Sequence, residues 1–391
     1  MESPLDTRSP LGYLQVPDLL ADWPWQRKVN PLCEEVSEEG NLWFRSFVPF
    51  NPKSQHAFER GMFGLCAALM VPDAPRDQLR TCVDALNIAF LVDEYTDVEP
   101  APKVRMIIDA CVDALHDPGK PRPEGETIVG EVVRQYVNHF SGHRHVHVLY
   151  ESHQTTMFRF WERGQKTATP QGAKHFLTGF IAYLQSVTTE AEARDSGAVL
   201  TTDAYLAIRR DNIGVRFLCP MVELQLSIPD ALYGHPLLKR MMELDCDLVI
   251  IDNDVVSYNR EQATGVGDFN IVTTTAHHNG LSLEDTVRFL AERVVDLEKE
   301  FWERHREFCA FLDGVGGPDK TAEIRKFVDQ MGNVRRAAWC WSFDGHRYFG
   351  ERGPVYAKTQ MVPLIPKRMQ DKSARGNKVD VLLMEEELAK L

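Results

Sequence analysis

Leu248-Val249-Ile250-Ile251-Asp252-Asn253-Asp254-Val255-Val256-Ser257-Tyr258-Asn259-Arg260-Glu261 passes from an apolar run into a polar one whose oxygen-bearing residues recur every four positions. On an α-helix, steps of four drift only about 40°, so Asn253, Ser257 and Glu261 point to one side. A carboxamide, a hydroxyl and a carboxylate converging there suit a hard divalent cation such as Mg²⁺, and suit zinc or softer metals poorly. The helix itself is predicted to start near Pro236, a good first-turn residue, with Leu238, Met241, Met242, Leu244, Leu248 and Ile251 as its apolar side. After it, Thr264-Gly265-Val266-Gly267-Asp268 reads as a mobile loop beside these oxygens.

Upstream, Asp93-Glu94-Tyr95-Thr96-Asp97 offers a second hard-oxygen face, Asp93 and Asp97 at i, i+4. By itself such a pair is commonly a solvated helix end. Here it follows Ala89-Phe90-Leu91-Val92 and is stopped by Glu99-Pro100, so the carboxylates leave a buried wall near the rim of a cavity. The stretch from Asp77 to Asp93, with Leu79, Cys82, Val83, Leu86, Ile88, Phe90 and Val92, is predicted to be a helix buried over most of its circumference.

The rest of the chain reads as helical too. Segments near 128–165, with a break near Ser141-Gly142, and 171–195 carry helical spacing; 115–126 is a Pro/Gly-rich loop. Ser282, followed by Asp285, caps a further long helix. Two-residue alternation is nearly absent and no internal repeat is visible. The expectation is one all-α domain over 51–360, a proline-punctuated N-terminal strap over 1–50, and a C-terminal extension over 361–391. That extension is basic at Lys367, Arg368, Lys372, Arg375 and Lys378, then acidic at Glu385-Glu386-Glu387. It is expected to be peripheral and mobile, with a terminal helix as the alternative.

Composition narrows the function. Among 391 residues, 43% are apolar, enough for a large core. The net charge of −13 and the lack of a basic stripe argue against broad nucleic-acid contact. Eight cysteines without CxxC spacing read as reduced core thiols. No signal-peptide pattern or membrane-length apolar run is evident, so the expectation is a soluble, cytoplasmic protein.

Four separated elements resemble the class I terpene synthases, specifically the single-domain sesquiterpene synthases of fungi, over about residues 50–355. They are Asp93–Asp97, the Asn253/Ser257/Glu261 set, Arg209-Arg210-Asp211-Asn212-Ile213-Gly214, and His346-Arg347-Tyr348-Phe349. The resemblance implies a helical bundle around a central apolar cavity and an isoprenyl diphosphate substrate. It also implies three Mg²⁺ ions: Asp93 bridges two, while Asn253, Ser257 and Glu261 hold the third. Asp97 serves as a ligand or orders its helix. Arg209, 44 residues before Asn253, is expected to sense the diphosphate, with Arg210 as the fallback. Arg347 and Tyr348 complete the lid. Arg260 stands where many relatives have Lys, so it keeps the charge with altered geometry. Glu94 points away from Asp93 and is expected not to be essential.

The hydrocarbon chain needs aromatic walls, for which Phe90, Phe180, Tyr183, Trp339, Trp341 and Phe343 are candidates. The expected activity is cyclisation of farnesyl diphosphate by a monomer or weak homodimer. A chain-elongating isoprenyl diphosphate synthase and a non-catalytic helical binding protein are the alternatives.

Overall fold

The computed structural model describes residues 11–141, 168–315, 318–367 and 379–391. Its elements are almost all helices, arranged around the long helix Pro236–Thr264. That helix starts where the sequence places it, with Pro236 in the first turn. From Leu244 to Val256 nearly every residue is buried, so it runs through the interior and not along a surface. It packs against Leu283–Gly314, Ile271–Asn279 and Pro318–Asp344. The helix Arg76–Thr96 is likewise buried from Gln78 to Val92 with few interruptions. It delivers Asp93 and Asp97 at its C-terminal end.

Local chemistry sets the helix starts. Thr169 accepts from Gly172 N at 3.1 Å and precedes Pro170 in the helix Pro170–Ser196. Ser282 accepts from Asp285 N at 3.1 Å at the head of Leu283–Gly314, as the sequence predicts. The helix Pro170–Ser196 lies unusually close to Val215–Glu223. A Cβ on Gly179 would stand 2.4 Å from the Arg216 carbonyl oxygen, and one on Gly172 2.9 Å from that of Leu224. Glycine is what allows the two backbones to touch.

The only sheet among the described residues is a pair of three-residue strands, Tyr13–Gln15 antiparallel to Met361–Pro363, with Leu14 opposite Val362. It joins the N-terminal strap to the C-terminal region. Arg335 ties the strap down further. Its guanidinium is fully buried, donates to Asp252 at 2.6 and 3.2 Å and to Leu19 O at 3.0 Å, pairs with Glu298, and lies 4.7 Å from the Trp23 ring centroid.

Beyond Pro363, Asn259 and Gln262 of the central helix hold the chain: Asn259 donates to Pro363 O at 2.9 Å, and Gln262 to Ile365 O at 2.6 Å. Residues 379–391 include the short helix Met384–Leu388, whose fully buried Met384 meets Ala263 and Ile365. The segment predicted to be helical over 128–165 is described as the helix Ile128–Ser141; its continuation lies outside the described residues, as does the basic run 368–378. All eight cysteines are free, and no described helix is long and apolar enough to cross a membrane.

Candidate active site

Three helices, one break and one short turn meet at a single cavity. Asp93 and Asp97 arrive from Arg76–Thr96; Asn253, Arg260 and Glu261 from Pro236–Thr264; Arg209, Asn212 and Gly214 from the end of Thr202–Asn212 and the break after it; Arg347 and Tyr348 from His346–Phe349. The break is made by Gly214 at φ +86°, a backbone conformation costly for side chains with a Cβ. Of the sequence-selected residues, Asp93, Asp97, Asn253, Glu261, Arg209, Arg260, Arg347, Tyr348 and Phe90 all line this cavity. Ser257 is buried on the same helix, and its hydroxyl lies in no well-formed hydrogen bond. Arg210 is turned elsewhere, forked onto Asp247 at 2.7 and 2.8 Å.

Burial raises the carboxyls that meet here. Burial pushes the Asp93 carboxyl up to about 6, although Arg347 and a hydrogen bond from Tyr183 oppose the shift. Burial and then Asp93 raise Asp97 well above the usual range. Glu261 is pushed up to about 7 by burial, with Asp254 adding to it. Asp93, Asp97, Glu261 and the Asn253 carboxamide bring oxygen donors to the cavity, with the Ser257 hydroxyl buried behind them on the Asn253 helix. That chemistry fits hard divalent cations. Asn253 Oδ1 here accepts from Arg209 at 2.8 Å, and its amide donates to Tyr348 Oη at 3.1 Å.

Each arginine at the cavity is held by an acid that faces away from it. Asp254, fully buried, accepts from Arg209 at 3.0 Å and from Ile271 N at 2.9 Å, and also from the Tyr205 hydroxyl. Glu94 accepts from Arg260 at 2.9 Å and from Arg347 at 2.7 Å. Burial works against its charge, but these two guanidiniums hold its carboxyl below the ordinary range. The expectation that Glu94 points away from Asp93 is met; the geometry argues against its being dispensable. Arg209, Arg260 and Arg347 each keep a buried Nε–H without an acceptor. Three guanidinium-bearing residues lining one cavity make an anion-binding arrangement.

Sequence reasoning missed further contributors. Asn212 accepts from Arg209 and donates to Glu190 at 2.7 Å; Glu190 also takes Arg194 at 2.8 Å. Arg194 donates to the carbonyls of Thr96 and Glu99 at 3.1 and 3.2 Å, fixing the end of the aspartate-bearing helix. Tyr183, selected only as an aromatic wall, places its hydroxyl 2.9 Å from Asp93 Oδ1. Only the spacing of Asn212, one helical turn after Arg209, could have flagged any of these.

The apolar wall is formed by Leu86, Phe90, Tyr183, Phe217, Leu218 and Phe269. Phe90 also lies 4.7 Å from the Arg347 guanidinium, measured at the ring centroid. Phe180, Trp339, Trp341 and Phe343 do not line it; Trp341 backs Phe90 at 5.2 Å and Phe180 backs Phe217 at 5.2 Å. Phe217 and Phe269 take their place because the break at Gly214 and the loop after Gly265 turn them inward, which helical spacing does not reveal.

Residues 84–300 match the family model described as terpene synthase family 2, C-terminal metal binding. Sesquiterpene synthase 14 of Postia placenta is 37% identical, the match covering 95% of this chain and 98% of that protein. Delta(6)-protoilludene synthase 8 of the same fungus is 39% identical over 94% of this chain and 98% of its own length. Among solved structures, the chain is similar to hedycaryol synthase in complex with nerolidol, at TM-score 0.64 and 21% identity, covering 84% of this chain and 98% of the other. An α-eudesmol synthase gives TM-score 0.68 at 16% identity, covering 83% and 98%.

Proposed function

This chain belongs to terpene synthase family 2 and is a sesquiterpene synthase, and from that premise we propose that it ionises farnesyl diphosphate and cyclises the resulting carbocation. The observation that carries the proposal is the meeting of two oxygen-bearing helix faces with Arg209, Arg260 and Arg347 around one cavity that Phe90, Tyr183, Phe217 and Phe269 also line. We further propose that Asp93, Asp97, Asn253, Ser257 and Glu261 hold Mg²⁺, three ions in all, and that the enzyme acts in the cytoplasm as a monomer or weak homodimer. Bound there, the cations would neutralise charge on the diphosphate as the allylic C–O bond breaks.

The chain's own groups do the remainder. Arg209, Arg260 and Arg347 offer their guanidinium charge, and Tyr348 its hydroxyl, to the departing oxygens. Such preorganised donors act most strongly where water is excluded. Electrons of the C–O bond leave with the diphosphate, and the cationic chain faces Phe90, Phe217 and Phe269. A cation over an aromatic face gains about 0.5–2 kcal/mol, enough to favour one folding of the chain. Loss of a proton or capture of one water then ends the sequence as a hydrocarbon or an alcohol.

Chain elongation would call for a second aspartate-rich face. The aspartates flanking Asn253 are already committed, Asp252 to Arg335 and Asp254 to Arg209, Tyr205 and the Ile271 amide. Incubation with farnesyl diphosphate and Mg²⁺ alone should give volatile cyclic C15 products by gas chromatography, with Δ6-protoilludene as one reference compound. Asp93→Ala and Asn253→Ala should abolish them. A strict need for added isopentenyl diphosphate would replace this reading with elongation. Tight binding without turnover would replace it with a binding role.

A further inference from the structure

The acidic run Glu385-Glu386-Glu387 has no part in the chemistry above, yet its first member is placed beside the turn that supplies Arg347 and Tyr348. Glu385 Oε1 lies 2.7 Å from His346 Nδ1 and accepts from Arg60 Nε at 2.9 Å. Arg60 also donates to Glu351 at 3.0 Å, and its carbonyl accepts from His346 N at 3.0 Å. Because the Arg60 guanidinium sits among His346, Glu351 and Glu385, this cluster is an ion-pair knot and not a cation site. Against the cost of partial burial, Arg60 and His346 hold the Glu385 carboxyl below its ordinary range.

The helix His346–Phe349 has four residues, too few to sustain itself. Its orientation must come from outside. On one side Phe349 is fully buried. On the other, Gly350, at φ +54°, lets the terminal helix come so near that a Cβ there would stand 2.7 Å from Glu385 Cγ. The terminal segment is itself anchored at two further places. Met384 packs on Ala263 of the helix Pro236–Thr264, and Val381 N donates to Ser54 Oγ at 3.1 Å, in the helix that leads to Arg60.

We infer that Glu385 is a positioning residue for diphosphate recognition, holding the turn His346–Phe349, through His346 and Arg60, so that Arg347 reaches the cavity. The inference rests on the reading that Arg347 contacts the diphosphate. The terminal segment thereby ties the helices Pro236–Thr264 and Pro52–Glu59 together beside the turn.

The test uses the full-length protein and Mg²⁺ with inorganic pyrophosphate, read as the apparent Kd from the ligand-induced rise in melting temperature. Glu385→Ala should weaken pyrophosphate binding roughly tenfold, the order expected for loss of a charged hydrogen bond, while Glu386→Gln on the outer side leaves it unchanged. In an Arg347→Ala background, Glu385→Ala should add less than about twofold, because its effect passes through that side chain. Should Glu385→Ala fail to fold, Glu385→Gln keeps an acceptor for both donors, loses the charge, and carries the same comparison with a smaller loss. A lowered melting temperature with undiminished pyrophosphate affinity overturns the inference, as does a full loss that persists without Arg347. If Arg347→Ala itself leaves affinity unchanged, the reading beneath fails and takes the inference with it. If Arg347→Ala weakens binding and Glu385→Ala does not, only the inference falls.

Discussion

Glu94 is a single carboxylate serving two arginines, Arg260 from the helix Pro236–Thr264 and Arg347 from the turn opposite. Replacing it with Gln removes the charge that aims both guanidiniums, and a misplacement of about 1 Å at such groups costs roughly 10²-fold in rate. We expect Glu94→Gln to lower kcat/KM for farnesyl diphosphate by about 10- to 100-fold in steady-state assays. Asp245 illustrates a different residue-scale effect. It is fully buried with Oδ1 unpartnered, and Oδ2 3.8 Å from Cys219 Sγ. Burial pushes its carboxyl up to about 7, with Arg335 and the Cys219 contact opposing. Between its unfolded value near 4 and pH 7, the folded protein keeps a proton that the unfolded chain has released. Stability from this group therefore falls as pH rises through that window, by up to about 4 kcal/mol, and stays low above it. Asp245→Asn should raise the melting temperature more at pH 8 than at pH 5; an equal gain at both would contradict the assignment.

At the scale of elements, helix contact distance is set by absent side chains. Gly179 faces the Arg216 backbone at a distance no Cβ can occupy, so Gly179→Ala must push Val215–Glu223 away from Pro170–Ser196. Overpacking of this kind costs about 1–3 kcal/mol, and chemical denaturation should read it as a lower midpoint at unchanged slope. The displaced helix carries Phe217 on the cavity wall, so the product ratio should shift as well. Both helices are legible from apolar spacing. Their close approach is not, because a helical glycine reads in sequence only as a weak point.

For the whole molecule, Arg335 joins what the chain separates by hundreds of residues: Leu19 and Trp23 of the strap, Asp252 and Glu298 of two long helices. Arg335→Leu would leave Asp252 buried and unpaired, a loss worth about 3–5 kcal/mol. Thermal unfolding should show that drop. Limited proteolysis should cut near residues 19–25 sooner than in the parent protein, since Arg335 also fixes the strap.

Sequence alone determined the all-helical class and the two oxygen faces, because helical periodicity fixes direction within an element and Asn253, Ser257 and Glu261 lie on one element. The choice of Arg209, Arg260, Arg347 and Tyr348 rests on resemblance to the class I terpene synthases and not on periodicity. What the tertiary structure decided are the meetings between elements: Glu94 between two arginines, Tyr183 on Asp93, Arg194 on the end of the aspartate-bearing helix, and Glu385 on His346. Each joins residues whose separation along the chain carries no periodic signal. Their partners follow from how whole helices pack, a property of summed burial that no short stretch encodes.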